Sequence, residues 1–96
     1  MKVIGTDKIS RFIKRNEGAR RALNDWLMKA KAANWKTAAD IKATFSSVDH
    51  VDAYHVFDIV HNRYRLVALV VFQNGVVIID RIMTHAEYDR WCKKNR

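Results

Sequence analysis

The stretch from Arg63 to Tyr88, RYRLVALVVFQNGVVIIDRIMTHAEY, limits the fold of this chain more than any other. Two long apolar runs, Arg63 to Phe72 and Val76 to Met83, are rich in β-branched residues and flank Gln73-Asn74-Gly75, so both read as strands of a hairpin. Tyr54 to Val60 has the same character and ends at the turn-like His61-Asn62, which predicts three consecutive antiparallel strands. The last strand runs straight into a helix. Thr84-His85-Ala86-Glu87 matches the S/T-x-x-E capping box, in which the threonine oxygen accepts from the backbone of Glu87 and the glutamate reaches back to Thr84.

Turn lengths then propose registers. A two-residue turn at His61-Asn62 sets Ile59 opposite Tyr64 and Asp58 opposite Arg65. Tyr64, Leu66, Ala68, Val70 and Phe72 share the face expected to be buried under a helix. Arg63, Arg65, Val67, Leu69 and Val71 share the other, which would be open at its arginine end and is a candidate groove. The second turn leaves two outcomes. A two-residue Asn74-Gly75 turn puts Asp80 on the arginine face, whereas a three-residue Gln73-Asn74-Gly75 loop puts Arg81 there.

Upstream, Lys2 to Gly5 reads as a short edge strand, and Thr6 or Asp7 as the cap of a helix carrying Ile9, Phe12 and Ile13 on one face, broken near Gly18. Ala19, Ala22, Leu23, Trp26, Leu27, Ala30 and Ala33 recur at three- and four-residue spacing, the stripe of an amphipathic helix with Arg20, Arg21, Lys29 and Lys31 opposite. Thr37-Ala38-Ala39-Asp40 caps a short helix ending near Phe45, and the polar Ser46 to Asp52 reads as loop. The whole is a single α+β domain over residues 1–96, with N-terminal helices packed on a small antiparallel sheet and a C-terminal helix.

Charge narrows the partners. The formal net charge is +8, and residues 1–36 hold ten Lys/Arg against three Asp/Glu, which favours a polyanion such as nucleic acid or an acidic protein. The longest apolar run is interrupted by Asp80-Arg81, so no membrane span is expected, and Met1 to Gly5 lacks an export-signal pattern. The single cysteine, Cys92, excludes an internal disulfide framework and fits a reducing cytoplasm. His50, His55 and His61 have no ligand spacing that would support zinc, and the three isolated glycines make no phosphate loop, so no metal or cofactor is expected. His85 sits in the first turn of its helix, where a phosphate would be welcome, and Tyr88 lies one turn on beside Trp91.

Three stretches together resemble the HigB-type toxins of bacterial type II toxin-antitoxin modules, within the broader RelE/ParE-like group: Asp40-Ile-Lys-Ala-Thr-Phe45, Val56-Phe-Asp-Ile-Val-His-Asn-Arg-Tyr-Arg-Leu66, and Thr84-His-Ala-Glu-Tyr-Asp89. With the spacing between them they span most of residues 23 to 91. The resemblance implies a RelE-like fold and a ribosome-dependent mRNA endonuclease that works without a metal, the RNA 2′-hydroxyl attacking the adjacent phosphate. It further implies a cognate helix-turn-helix, HigA-like antitoxin as partner beside mRNA and the ribosome. Matched motif to motif, Arg63 and Arg65 would bind phosphate, His85 would act as acid/base or orienting group, and Tyr88 would stack on a base or assist proton transfer. Lys42 would bind the RNA backbone. One departure is Asp80, where a basic residue is common in the family; Arg81 serves the site only if the register turns it inward. Each position also has a plainer reading: Arg63 and Arg65 as exposed strand residues with Arg65 paired to Asp58, His85 as a cap-region residue, Tyr88 as packing for Trp91. Two other functions fit the same residues, a non-catalytic RNA-binding domain and a ParE-like toxin acting on DNA gyrase.

Overall fold

The computed structural model describes residues 1–95, so the last residue of the basic tail, Arg96, lies outside the described residues. Strand β1 (Lys2–Ile4) leads into α1 (Thr6–Arg15); a 3-10 turn at Glu17–Ala19 follows, then α2 (Arg20–Ala32) and α3 (Ala38–Thr44). The rest is β2 (Asp49–Val51), β3 (Tyr54–Ile59), β4 (Tyr64–Val71), β5 (Val76–Thr84) and α4 (His85–Asn95). Among the described residues the strands form one sheet in the order β1-β5-β4-β3-β2. Four strands pair antiparallel, as expected, but β1 lies parallel to β5, so the sheet is mixed. Parallel pairing is possible because α1 and the elements after it supply the long crossover that such a pair needs.

The apolar stripe of α2 drives the larger core. Leu23, Trp26 and Ala30 are buried with Ala19 against Phe57, Leu66, Ala68 and Ile79, the sheet face predicted for burial. The aromatic rings interlock there: Phe57 meets Trp26 edge-on at 5.4 Å and Phe45 edge-on at 5.3 Å, and stacks on Trp35 at 6.4 Å. A second, smaller core occupies the opposite face, where Trp91 of α4 covers Val51, Val56, Val67 and Met83. Helices therefore lie on both faces of the sheet, and α4 lies over the face that carries the arginines.

Several local expectations are corrected. The cap of α1 is Gly5, not Thr6 or Asp7; its φ of 94° is one that glycine adopts freely, and a Cβ there would stand 3.0 Å from the Ile79 carbonyl oxygen of β5. The same helix ends at Asn16 rather than at Gly18. Part of the predicted loop Ser46 to Asp52 forms β2, which pairs with β3 through Val51 opposite Tyr54. Its Val51 reaches the second core, an apolar anchor that pins a mostly polar segment. Arg63 belongs to the turn that precedes β4, not to the strand.

The hairpin register is the correction with most bearing on function. Val71 faces Val76, so the β4–β5 connection is Phe72–Gly75, four residues closed by Gly75 in a left-handed conformation, rather than two or three. Continued unbroken, that register would set Asp80 against Val67. A β-bulge intervenes between the Ala68–Ile79 and Val67–Arg81 pairs, with Asp80 as the extra residue. Past the bulge Arg65 faces Met83, so Arg65, Val67, Arg81 and Met83 share one face.

Both predicted capping boxes form. The Thr37 oxygen accepts from Asp40 N–H at 3.4 Å while Asp40 accepts from Thr37 N–H at 3.1 Å. At α4, Thr84 N–H donates to Glu87 Oε1 at 2.8 Å and Glu87 N–H donates to Thr84 Oγ1 at 3.3 Å. Replacing Thr84 with alanine is expected to cost about 1 kcal/mol, and serine to cost much less, because the hydroxyl satisfies an otherwise orphaned helix donor. Urea midpoints of the two variants check this; equal losses would show that the methyl, not the hydroxyl, matters.

Candidate functional site

Arg65 leaves β4 on the face beneath α4 and is held on every side. Its Nε lies 3.2 Å from Asp58 Oδ1, the cross-strand partner that the turn register predicted. Nη1 donates to the carbonyl oxygens of Asn62 at 3.0 Å and Tyr64 at 3.2 Å, and Nη2 donates to Asn62 Oδ1 at 2.5 Å. Only 11% of the side chain is exposed. The guanidinium carbon sits 5.2 Å from the centre of the Tyr88 ring, close enough for a cation–π contact.

Three more side chains continue this arrangement along α4. Tyr88 stacks on Trp91 with centroids 6.0 Å apart, and the Arg81 guanidinium lies 5.9 Å from the Trp91 ring. Arg65, Tyr88, Trp91 and Arg81 thus form a row in which two stacked rings lie between two guanidinium groups. Arg81 is here because of the bulge, and it carries its own counter-ion: its Nε is 2.6 Å from Asp80 Oδ2.

Two clefts flank α4. One, of about 480 Å³, sets Lys42, Ser46 and Ser47 opposite Arg65 and Tyr88, with Asp58 and Asp49 on its walls. The other, of about 610 Å³, sets Arg81 and Thr84 against Lys8, Arg11 and Arg15 of α1, with Asp80 and Glu87 also lining it. Lys42, Arg65 and Tyr88 therefore line one cleft, while Arg81 lines the other.

The remaining two candidates lie apart from both clefts. Arg63 is an exposed turn residue whose carbonyl oxygen accepts from His85 N–H at 3.1 Å. The His85 ring is about half exposed on the outer face of α4, its Nε2 3.4 Å from Asp89 Oδ2 one turn on. Both groups are more than half exposed, so a contact between them is worth little. Ser46, Ser47 and Asn62 also meet Arg65 or its cleft, and no sequence motif singles them out: the first two belong to a polar segment with no pattern, and Asn62 carries only a turn signal.

His55 is buried on the opposite face, stacked on His50 at 4.6 Å, and neither ring nitrogen has a hydrogen-bond partner. Burial, and secondarily the neighbouring His50, hold its pKa below the ordinary 6.5. The unfolded chain therefore binds a proton at His55 before the folded one does. Stability from this group is complete above about pH 6.5 and falls as pH drops through that value toward the lower folded pKa. Urea denaturation at pH 7.5 and 5.5 should show wild type losing more stability on acidification than His55→Phe; equal losses would refute the assignment.

The family described as "HigB_toxin, RelE-like toxic component of a toxin-antitoxin system" matches residues 19–91. The chain belongs to the HigB toxin family. That match contains Lys42, Arg63, Arg65, Arg81, His85 and Tyr88 but neither β1 nor α1. The mRNA interferase toxin HigB of Escherichia coli (strain K12) is 38% identical over 65 residues, which cover 65% of this chain and 62% of that protein. The mRNA interferase HigB of Shigella flexneri matches to the same extent. The chain thus spans about 62% of the length of the curated HigB relatives it matches. Among the described residues no helix is long and apolar enough to cross a membrane.

Proposed function

We propose that this member of the HigB family is the toxin of a type II toxin-antitoxin module and cuts mRNA on the ribosome by metal-independent attack of the RNA 2′-hydroxyl on the adjacent phosphate. The observation that carries the reading is the meeting of Lys42, Arg65 and Tyr88 across one cleft, within the matched region of a family whose curated relatives are named mRNA interferases. In this chemistry cations must stabilise the extra negative charge of the phosphorane-like transition state, and a base and an acid must serve the attacking and leaving oxygens. Arg65 and Lys42 supply fixed positive charge at the cleft. Tyr88, packed beside Arg65, stacks on a base or passes a proton to the leaving oxygen. Arg81 stabilises phosphate charge from the other side of α4 once RNA displaces Asp80. His85 and Arg63 meet the strand where it crosses the start of α4, His85 as acid/base or orienting group and Arg63 as a backbone contact. The antitoxin is a HigA-like helix-turn-helix protein that covers this basic surface.

The test uses the full chain expressed from an inducible promoter in a bacterium, with 5′ ends of cellular mRNA mapped after induction. New ends within coding regions are expected. In parallel, purified protein should cleave mRNA on programmed ribosomes in excess EDTA only as far as ribosome integrity allows, and with cobalt hexammine replacing free divalent ions the cleavage should persist. Intact mRNA with RNA still bound would favour the non-catalytic RNA-binding reading, and intact mRNA with blocked DNA supercoiling would favour the gyrase-directed one.

A further inference from the structure

The turn between β3 and β4 carries an unusual backbone. Arg63 N–H donates to the Val60 carbonyl at 3.0 Å, closing a two-residue turn, yet Val60 and His61 have φ of 53° and 57°. Left-handed backbone at a β-branched residue is disfavoured because Cβ crowds the following carbonyl. A chain holds such a conformation only where its surroundings over-determine it. The Arg65 guanidinium holds the far end of this turn, taking the Asn62 carbonyl, the Asn62 side-chain oxygen and the Tyr64 carbonyl at once. The turn and the arginine fix each other.

We infer that Asn62, presented by this left-handed turn, is a positioning residue that locks the Arg65 guanidinium against Tyr88 in the phosphate-binding orientation. The inference rests on the reading of Arg65 as a phosphate-binding group of an mRNA endonuclease. Three features set Asn62 apart from a residue that merely shapes a turn. Its side chain makes the shortest of the contacts given for Arg65, at 2.5 Å. It contributes two of the oxygens around the guanidinium, one from the side chain and one from the backbone. It is also uncharged: Asp58 supplies the one carboxylate among the four oxygens that meet Arg65, so the Asn62 contacts fix the fork without adding a second counter-charge. A loose arginine must be ordered during the reaction, whereas a clamped one meets the developing phosphate charge with no reorganisation.

The experiment measures single-turnover cleavage of a defined mRNA on programmed ribosomes by the full chain. Asn62→Ala should lower the maximal rate about 10- to 100-fold while the protein concentration for half-maximal rate changes less than about 3-fold, since orientation rather than charge is lost. In an Arg65→Lys background, which keeps the charge but cannot fill the fork, Asn62→Ala should have less than about a twofold further effect. The guanidinium nitrogen resonances of Arg65 give a readout independent of cleavage: restricted and distinct in wild type, averaged in Asn62→Ala, with the far-UV circular dichroism unchanged. Cleavage by Asn62→Ala within about 3-fold of wild type, or a full independent loss in the Arg65→Lys background, would overturn the inference while leaving the nuclease reading standing. Wild-type protein that leaves mRNA intact would overturn the nuclease reading and the inference with it.

Discussion

Arg65→Ala should lower mRNA cleavage by roughly 10²- to 10³-fold, the loss typical when a preorganised group facing transition-state charge is removed. Arg65 is the cation of the cleft whose orientation is most fully determined, by Asp58, Asn62, the Tyr64 carbonyl and the Tyr88 ring. Lysine in its place keeps a positive charge but loses the fork, so Arg65→Lys should fall between wild type and alanine. Removing the guanidinium also leaves Asp58 and two carbonyls without their donor, at about 1–3 kcal/mol of stability. The assay therefore belongs well below the melting temperature of the variant, with rates compared at equal folded fraction. A fully active, folded Arg65→Ala protein would mean that the clamped arginine only ties the turn to the strand, and that phosphate binding lies with Lys42 or with the α1 cations across the helix.

Phe57→Ala should destabilise the fold by about 3–5 kcal/mol, which for a domain of this size lowers the melting temperature by about 4–8 °C for each kcal/mol. Phe57 is 1% exposed and touches the rings of Trp26, Trp35 and Phe45, so its removal opens a cavity that rigid aromatic neighbours on three separate stretches of chain cannot collapse into. The more exposed Val71, at the end of β4, provides the contrast: its alanine variant should cost well under 1 kcal/mol. A loss below about 1.5 kcal/mol for Phe57→Ala would show that the aromatic cluster relaxes, contrary to its interlocked geometry.

What the sequence made legible was local or periodic. The α2 stripe, the two capping boxes and the Asp58–Arg65 pairing each follow from a spacing of a few residues, and the structure reproduces them. What escaped depends on contacts between distant segments. The parallel place of β1 beside β5 has no local signature, and β2 is a strand only because β3 offers it an edge. The bulge at Asp80 lies between two stretches of sound alternation, so periodicity alone shows both halves of β5 and hides the slip between them. In the candidate site the same division holds. The places of Arg65 and Tyr88 in strand and helix are legible because a turn register and a capping box fix them, whereas Ser46 and Ser47 come to Arg65 from a segment distant in sequence. The place of His85 at a helix start fixes its backbone and says nothing of the direction of its ring.

The bulge separates two kinds of change that are tied together everywhere else in the sheet. At a regular ladder position a new side chain must fit the face it lands on, so altering its charge disturbs packing. Asp80 is unpaired: taking it out of the ladder altogether would leave Ile79 opposite Ala68 and Arg81 opposite Val67 as they are. Its carboxylate nevertheless sits against one of the cations of the arginine face. The strength of the positive field over that face can therefore drift by substitution at a single residue while the pairing of the strand stays fixed; on the nuclease reading proposed above, that is a way to adjust potency without refolding.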